Sequence, residues 1–132
     1  MNENEIRIPG SAPIPLYNYI YLIKRKQSPY YDIVEFLLQE MEFHYRNSGV
    51  SEVTYTINPR ILQEEIERKV KKKIYKSEKL TSVNVCRTIR AMLYEAKLKE
   101  DEHFFVTTTS RGRRNYHVKV SDRTLTLLSR IL

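Results

Sequence analysis

The sequence predicts a small domain of the α+β class. Two observations support this class. Stretches with an apolar residue at every third or fourth position alternate with short runs rich in β-branched and aromatic residues, and helix-capping residues stand before the former. The chain has 132 residues, of which 41% are hydrophobic. That is enough for one domain with a modest core, so a second independent domain is not expected.

The first segment, residues 1–27, is predicted to be an N-terminal arm that is at least partly extended. Three prolines and a glycine among its first fifteen residues oppose a helix there. Residues 16–23 then read Leu-Tyr-Asn-Tyr-Ile-Tyr-Leu-Ile, which is compatible with either a strand or a short helix. The main domain is therefore predicted to begin at residue 28.

The first helix of the main domain is predicted to begin at Ser28-Pro29. Serine is a favoured N-cap and proline is well tolerated at the first helical position. Apolar residues then recur at helical spacing until Asn47-Ser48-Gly49, where the helix is expected to end. A β-prone run over residues 53–57 follows.

Asn58-Pro59 repeats the cap-and-proline signal and predicts a second helix, which would bury Leu62, Ile66, Val70 and Ile74. This helix is acidic near its beginning and basic near its end, the order that the helix macrodipole favours. Its last lysines, Lys72 and Lys73, are either solvated surface residues or contacts to a phosphate backbone. Both interpretations stay open.

The third helix is predicted over residues 82–97, with Thr81-Ser82 as its cap. At 100° per residue, Val85, Ile89, Met92, Leu93 and Ala96 fall on one side of this helix and form its core face. The opposite side is predicted to be exposed. It carries Asn84, Arg87, Arg90, Ala91 and Tyr94.

A β-hairpin is predicted after the third helix. Residues 103–109 and 115–120 are β-prone, and the turn between them reads Arg111-Gly112-Arg113-Arg114. Three arginines this close repel one another unless an anion binds them, although a solvated cationic loop is the plain alternative. Ser121-Asp122 then predicts a terminal helix with Leu125, Leu128 and Leu132 along one stripe.

The charge of the chain is unevenly distributed. Residues 1–57 hold five Lys and Arg against seven Asp and Glu, a net charge of −2, whereas residues 58–132 hold eighteen against nine, a net charge of +9. A basic half of this kind favours a polyanionic partner, and nucleic acid fits better than an anionic membrane because no basic amphipathic helix stands alone.

The order of helix, strand, helix, helix, strand, basic turn, strand and helix resembles the winged helix-turn-helix family, particularly small archaeal and archaeal-virus regulators. The resemblance covers residues 28–132. It rests on element order and on the apolar positions Val85, Ile89, Leu93 and Leu98, without an invariant signature. One departure is Lys97, where many members of the family have glycine, so the exit from the third helix must accept a side chain.

The resemblance implies that helix 82–97 enters the DNA major groove and that the hairpin tip reaches an adjacent groove or phosphates. Arginine can donate two hydrogen bonds to guanine, and asparagine can bridge adenine N6 and N7. Water contacts alone are the plain alternative for each polar residue. The candidate DNA-binding residues are Ser82, Asn84, Arg87, Thr88, Arg90, Ala91, Tyr94, Arg111, Gly112, Arg113, Arg114, Lys72 and Lys73.

The sequence gives no pattern for catalysis, a cofactor or a metal. Cys86 and the three histidines are scattered, and neither a nucleophile elbow nor a phosphate-binding glycine loop occurs. We therefore expect a protein that is not an enzyme, with no cofactor, no metal and no small-molecule substrate. Neither a membrane span nor a secretion signal is recognisable, which favours the cytoplasm, or the host cytoplasm for a viral protein.

Two functional hypotheses follow. The first is a sequence-specific regulator of transcription that binds double-stranded DNA as a homodimer, with the N-terminal segment and the last helix as dimer elements. The second is a structural protein that coats nucleic acid without sequence preference, or a protein–protein interaction module on the same scaffold.

Overall fold

A computed structural model describes residues 14–72 and 80–132 of the chain. The described part contains five helices and three strands: α1 (Ile14–Lys24), α2 (Tyr30–Ser48), β1 (Val53–Ile57), α3 (Pro59–Lys72), α4 (Ser82–Glu95), β2 (Phe104–Thr108), β3 (Arg114–Val120) and α5 (Asp122–Ser129). The predicted α+β class is confirmed. From α2 onwards, the element order is compatible with a winged-helix-like layout.

The three strands form one antiparallel sheet with β3 in the centre, between β1 and β2. In the register, Tyr116 of β3 lies between Ile57 of β1 and Val106 of β2. Because side chains alternate along a strand, Tyr116, Val118 and Val120 all point to one face, and all three are fully buried. The helices cover this face, while the other face carries polar residues.

The core lies between the inner face of the sheet and helices α2, α3 and α4. Ile33 and Met41 of α2, Ile66 of α3 and Ile89 of α4 are all fully buried. Helix α4 packs against α1, α2 and α3 and is therefore the central helix of the fold. Burying one such side chain stabilises the folded state by about 1.5–3 kcal/mol.

Local capping signals set most of the helix ends at the predicted places. Gly49 ends α2 with a φ of 69°, a left-handed conformation in which glycine has no Cβ penalty. Asn58 Oδ1 accepts the backbone N–H of Arg60 at 3.1 Å. Thr81 Oγ1 accepts that of Asn84 at 3.1 Å, and Ser121 forms a reciprocal capping box with Thr124.

The exit of α4 takes the backbone conformation that the missing glycine normally supplies. Lys97 has a φ of 60°. The N–H of Leu98 donates to the carbonyl of Leu93 at 3.1 Å, and that of Lys97 donates to the carbonyl of Tyr94 at 3.0 Å. This is the Schellman arrangement with a non-glycine residue in the left-handed position, which strains the backbone there.

Of the two alternatives that the sequence left open for residues 16–23, the structure has the helix: residues 14–24 form α1, because Leu16, Ile20 and Ile23 lie on one helical face and are buried against the rest of the domain. One prediction next to this helix is wrong. Ser28 does not cap α2, since the residue in the N-cap position is Pro29 and the Ser28 hydroxyl instead donates to Asp32 Oδ2. The part of the arm formed by residues 1–13 lies outside the described residues.

No helix within residues 14–72 and 80–132 combines the length and the apolar character that crossing a membrane requires.

Candidate nucleic-acid interface

Helix α4 presents one partly exposed stripe, formed by Val83, Arg87, Arg90 and Tyr94. The spacings of four, three and four residues place these side chains on the same face of the helix. Val83 is 50% and Tyr94 is 36% exposed, whereas the side chain of Arg90 is only 16% exposed. We call this face the open stripe of α4.

Two of the predicted DNA contacts, Thr88 and Ala91, are buried and cannot contact a ligand. Both are fully inaccessible to solvent. They share a face of α4 with Asn84 and Glu95, again at spacings of four, three and four residues, and α1 packs along this face. The prediction failed for these two residues because the spacing of apolar residues in α4 identifies its core face but cannot show that a second helix, α1, packs on another face and buries it.

Tyr19 of α1 forms hydrogen bonds with two of the predicted DNA-binding residues, Asn84 and Arg87. Its hydroxyl donates to Asn84 Oδ1 at 2.6 Å and accepts a hydrogen bond from Arg87 Nη1 at 3.4 Å. The Tyr19 ring stands edge-on to Tyr30 of α2, with ring centres 5.7 Å apart. A chain of hydrogen bonds therefore runs from Arg87 through Tyr19 to Asn84, and an aromatic contact from α2 supports it.

The end of α1 brings further positive charge to α4. Lys24 Nζ forms an ion pair with Glu95 Oε1 at 2.6 Å, and Arg25 and Lys26 follow it with exposed side chains. The guanidinium carbon of Arg25 lies 5.3 Å from the ring centre of Tyr21. The sequence-based list of DNA-binding residues does not include Lys24, Arg25 or Lys26. The Lys-Arg-Lys run was visible in the sequence, but its position beside α4 was not.

Arg90 connects the open stripe to the sheet. Its guanidinium carbon lies 5.5 Å from the ring centre of Tyr116 on β3, and Nη1 lies 3.7 Å from Glu100 Oε1. Burial raises the pKa of the Tyr116 hydroxyl above its ordinary value, while the nearby charges of Arg90 and Arg114 act in the opposite direction. Arg90 therefore links α4 to the hairpin, and its small exposed fraction leaves little of its surface for the predicted DNA contact.

Arg114 extends the same face of the sheet toward the hairpin tip. It precedes Tyr116 by two residues on β3, so its side chain points to the side of the sheet on which α4 lies. Arg114, at the base of the hairpin, therefore lies on the face of the sheet that packs against α4.

The turn of the hairpin is held by backbone bonds around Thr109. The N–H of Thr109 donates to the carbonyl of Arg113 at 2.7 Å, and the N–H of Gly112 donates to the carbonyl of Thr109 at 2.9 Å. Gly112 has a φ of 76°, which a side chain rarely accepts. The predicted need for glycine here is confirmed, and the turn places two exposed arginines, Arg111 and Arg113, on either side of it.

The arginines of the turn differ from Arg46, Arg60 and Arg68 in their ion pairing. Arg46, Arg60 and Arg68 each lie beside a carboxylate of the described residues. Within residues 14–72 and 80–132, no carboxylate comes within ion-pair distance of the cluster formed by Arg111, Arg113 and Arg114. The turn therefore concentrates positive charge without internal compensation, which favours binding of an external anion.

The remaining predicted contacts are placed less completely. Ser82 is the exposed first residue of α4 and directly precedes Val83 of the open stripe. Lys72 ends α3, and its side chain lies outside the described residues, as does the whole of Lys73. These two predictions are neither supported nor opposed by the structure.

Two histidines of the described residues, His103 and His117, make contacts within the fold. His117 on the outer face of the sheet lies 2.9 Å from Thr56 Oγ1 through Nδ1 and 2.7 Å from Thr107 Oγ1 through Nε2, and its ring stacks on Phe105 at 4.6 Å. His103 Nδ1 accepts the backbone N–H of Lys99 at 2.9 Å. In the described ranges, no three His, Cys, Asp or Glu side chains gather closely enough to hold a metal ion.

Comparison of the chain with protein-family models, with curated proteins and with solved structures finds no match. Any assignment of function therefore rests on the chemistry of these residues.

Proposed function

We propose that this protein binds double-stranded DNA through the open stripe of α4 and the arginine turn between β2 and β3, as a winged helix-turn-helix protein does. The observation that carries the proposal is the uncompensated cluster of Arg111, Arg113 and Arg114 at the hairpin turn, of which Arg114 lies on the face of the sheet that packs against α4. A DNA duplex offers phosphates at a spacing that can neutralise such a cluster.

The dimensions of α4 support the same conclusion. A helix fits the major groove of B-DNA, which is about 12 Å wide, and side chains on one face then reach the base edges. Packed helices lie about 8–10 Å apart, so α1 beside α4 comes to lie over the rim of that groove. The cations at its end, Arg25 and Lys26, are then close to the phosphates of the flanking strand.

The roles divide between helix and turn. Arg87, on the open stripe, is the leading base contact because a guanidinium can donate two hydrogen bonds to guanine O6 and N7. The turn arginines contact phosphates or the adjacent minor groove, where they add affinity without reading a unique sequence. We propose that the protein is a sequence-specific regulator of transcription on this basis.

Selection of duplexes from a random pool, followed by competition, tests this function. We expect the selected duplex to stay bound in a large excess of random duplex DNA, because base contacts typically make specific binding 10³–10⁷ times tighter than nonspecific binding. Equal displacement by any duplex would leave the alternative, a protein that coats nucleic acid without sequence preference. Absence of binding to every duplex at low salt would refute both.

We further propose that two copies bind together, since a single recognition helix reads only a few base pairs and a two-fold dimer doubles the site. Helix α1 uses its apolar face within its own chain, so Tyr17 and Tyr21, which are 46% and 57% exposed, are what this helix offers a second copy. Light scattering with and without the selected duplex distinguishes a pre-formed dimer from one that assembles on DNA.

A further inference from the structure

The hydrogen bonds that join Tyr19 of α1 to Asn84 and Arg87 of α4 restrict the orientation of these two side chains. Tyr19 contacts two polar residues of α4: Arg87, which lies on the open stripe, and the half-buried Asn84, which lies between that stripe and α1. Its distances to Asn84 and Arg87 are 2.6 Å and 3.4 Å. We propose that Tyr19 is a specificity-determining positioning residue, which orients Asn84 and Arg87 before DNA binds; this inference rests on the proposed function.

The first argument is that the side chain of Tyr19 is itself held in one conformation. Its ring packs edge-on against Tyr30, which is only 6% exposed, so the support comes from the core of the domain. A ring with two rotatable bonds that is fixed in this way loses little further entropy when DNA binds. Side chains that are bonded to it share that benefit, because ordering a mobile side chain on binding costs about 0.5–1.5 kcal/mol.

The second argument concerns which atom of Asn84 is presented. The Tyr19 hydroxyl donates to Oδ1, so the amide nitrogen Nδ2 is the group turned away from Tyr19. Adenine recognition by asparagine uses Oδ1 and Nδ2 together. With Oδ1 engaged by Tyr19, Asn84 is better suited to donate to a single acceptor, such as a purine N7 or the O4 of thymine. This revises the bidentate adenine contact that the sequence alone indicates.

The third argument concerns Arg87. A guanidinium has five N–H donors in a fixed plane, and the bond from Nη1 to Tyr19 defines the direction of that plane. The guanidinium carbon also lies 6.0 Å from the ring centre of Tyr19, a cation–π distance. Two contacts with one ring thus restrict the rotation of Arg87, and bidentate recognition of guanine depends on that orientation.

The test uses Tyr19→Phe, which removes only the hydroxyl and keeps the ring that packs on Tyr30. The matched control is Tyr45→Phe, at a partly buried tyrosine of α2 that belongs neither to the proposed DNA interface nor to the proposed dimer contact. For each variant, we measure the dissociation constant for the selected duplex and for a random duplex by fluorescence anisotropy, and confirm folding by circular dichroism. We expect the ratio of the two constants to fall about fivefold in Tyr19→Phe, the effect of one net hydrogen bond, with random-duplex affinity changed less than about twofold.

A double-mutant cycle with Asn84→Ala separates positioning from general support. If Tyr19 acts through Asn84, loss of the hydroxyl has a smaller effect on discrimination in the Asn84→Ala background than in the wild type. An unchanged discrimination ratio in Tyr19→Phe, in a wild-type protein that does select a duplex, would overturn this inference and leave the proposed function intact. A wild type that selects no duplex overturns both.

Discussion

The arginine turn allows a prediction whose size follows from counting charges. Arg111 and Arg113 are exposed and have no carboxylate partner among the described residues. Each phosphate contact contributes about 0.9 to the slope of log affinity against log salt concentration. We therefore expect the double variant Arg111→Ala/Arg113→Ala to flatten this slope by about 1.8 and to weaken duplex binding by about 60-fold at 0.1 M salt.

The matched control is Arg46→Ala/Arg60→Ala, which removes the same amount of positive charge. These arginines lie 3.6 Å from Glu42 and 3.8 Å from Glu64, so their charge is already compensated within the protein. Binding is measured by fluorescence anisotropy between about 50 and 300 mM salt, a range over which slopes of this kind are resolved. Equal slopes for the wild type and the turn variant, or equal losses in both variants, would exclude the turn from the interface.

Three further predictions concern single side chains. Arg87→Ala is expected to reduce discrimination between selected and random duplexes by about 1–3 kcal/mol, and a uniform loss across all sequences in competition assays would make Arg87 a phosphate contact instead. Lys97→Gly is expected to relieve the left-handed strain at φ 60° and to raise the melting temperature by about 4 °C, whereas Lys97→Ala, which keeps the strain, should not. Tyr116→Phe removes a buried hydroxyl on which the neighbouring guanidinium of Arg90 acts only weakly, since the two do not meet hydrogen-bond geometry within the described residues, so stability at pH 7 is expected to change by less than about 1 kcal/mol. Because burial holds the pKa of Tyr116 above its ordinary 10.0, the folded state binds that proton more tightly than the unfolded chain. Wild-type stability should thus fall as the pH rises above 10, and denaturation at pH 7 and 11 should show a smaller fall in Tyr116→Phe.

The elements that the sequence predicted well are those whose ends are set by local chemistry. Gly49, Asn58, Thr81 and Ser121 each act on backbone groups within four residues, so their effect can be recognised from neighbouring positions. The strands β1 and β3 were also located, although the register between Ile57 and Tyr116 depends on contacts distant in sequence. Capping residues and short sequence patterns thus predicted where helices and strands lie, but they did not predict how these elements pack together.

The packing of α1 explains both the conformation of residues 14–24 and the burial of two predicted DNA contacts. Tyr17, Tyr19 and Tyr21 alternate as they do in a strand, yet the same segment has Leu16, Ile20 and Ile23 at helical spacing. Periodicity alone could not decide between the two, and contact with α4 decided it. The same contact buries Thr88 and Ala91.

The packing of α1 on α4 also determines how the protein can be shortened. A fragment that begins at residue 28 keeps every element of the sheet and the arginine turn, and would pass for a minimal domain on the basis of its topology. It would nevertheless lack helix α1, which covers Thr88 and Ala91, together with Lys24, which forms the ion pair with Glu95. Such a fragment would expose apolar surface and an unpaired carboxylate next to the helix that faces the nucleic acid.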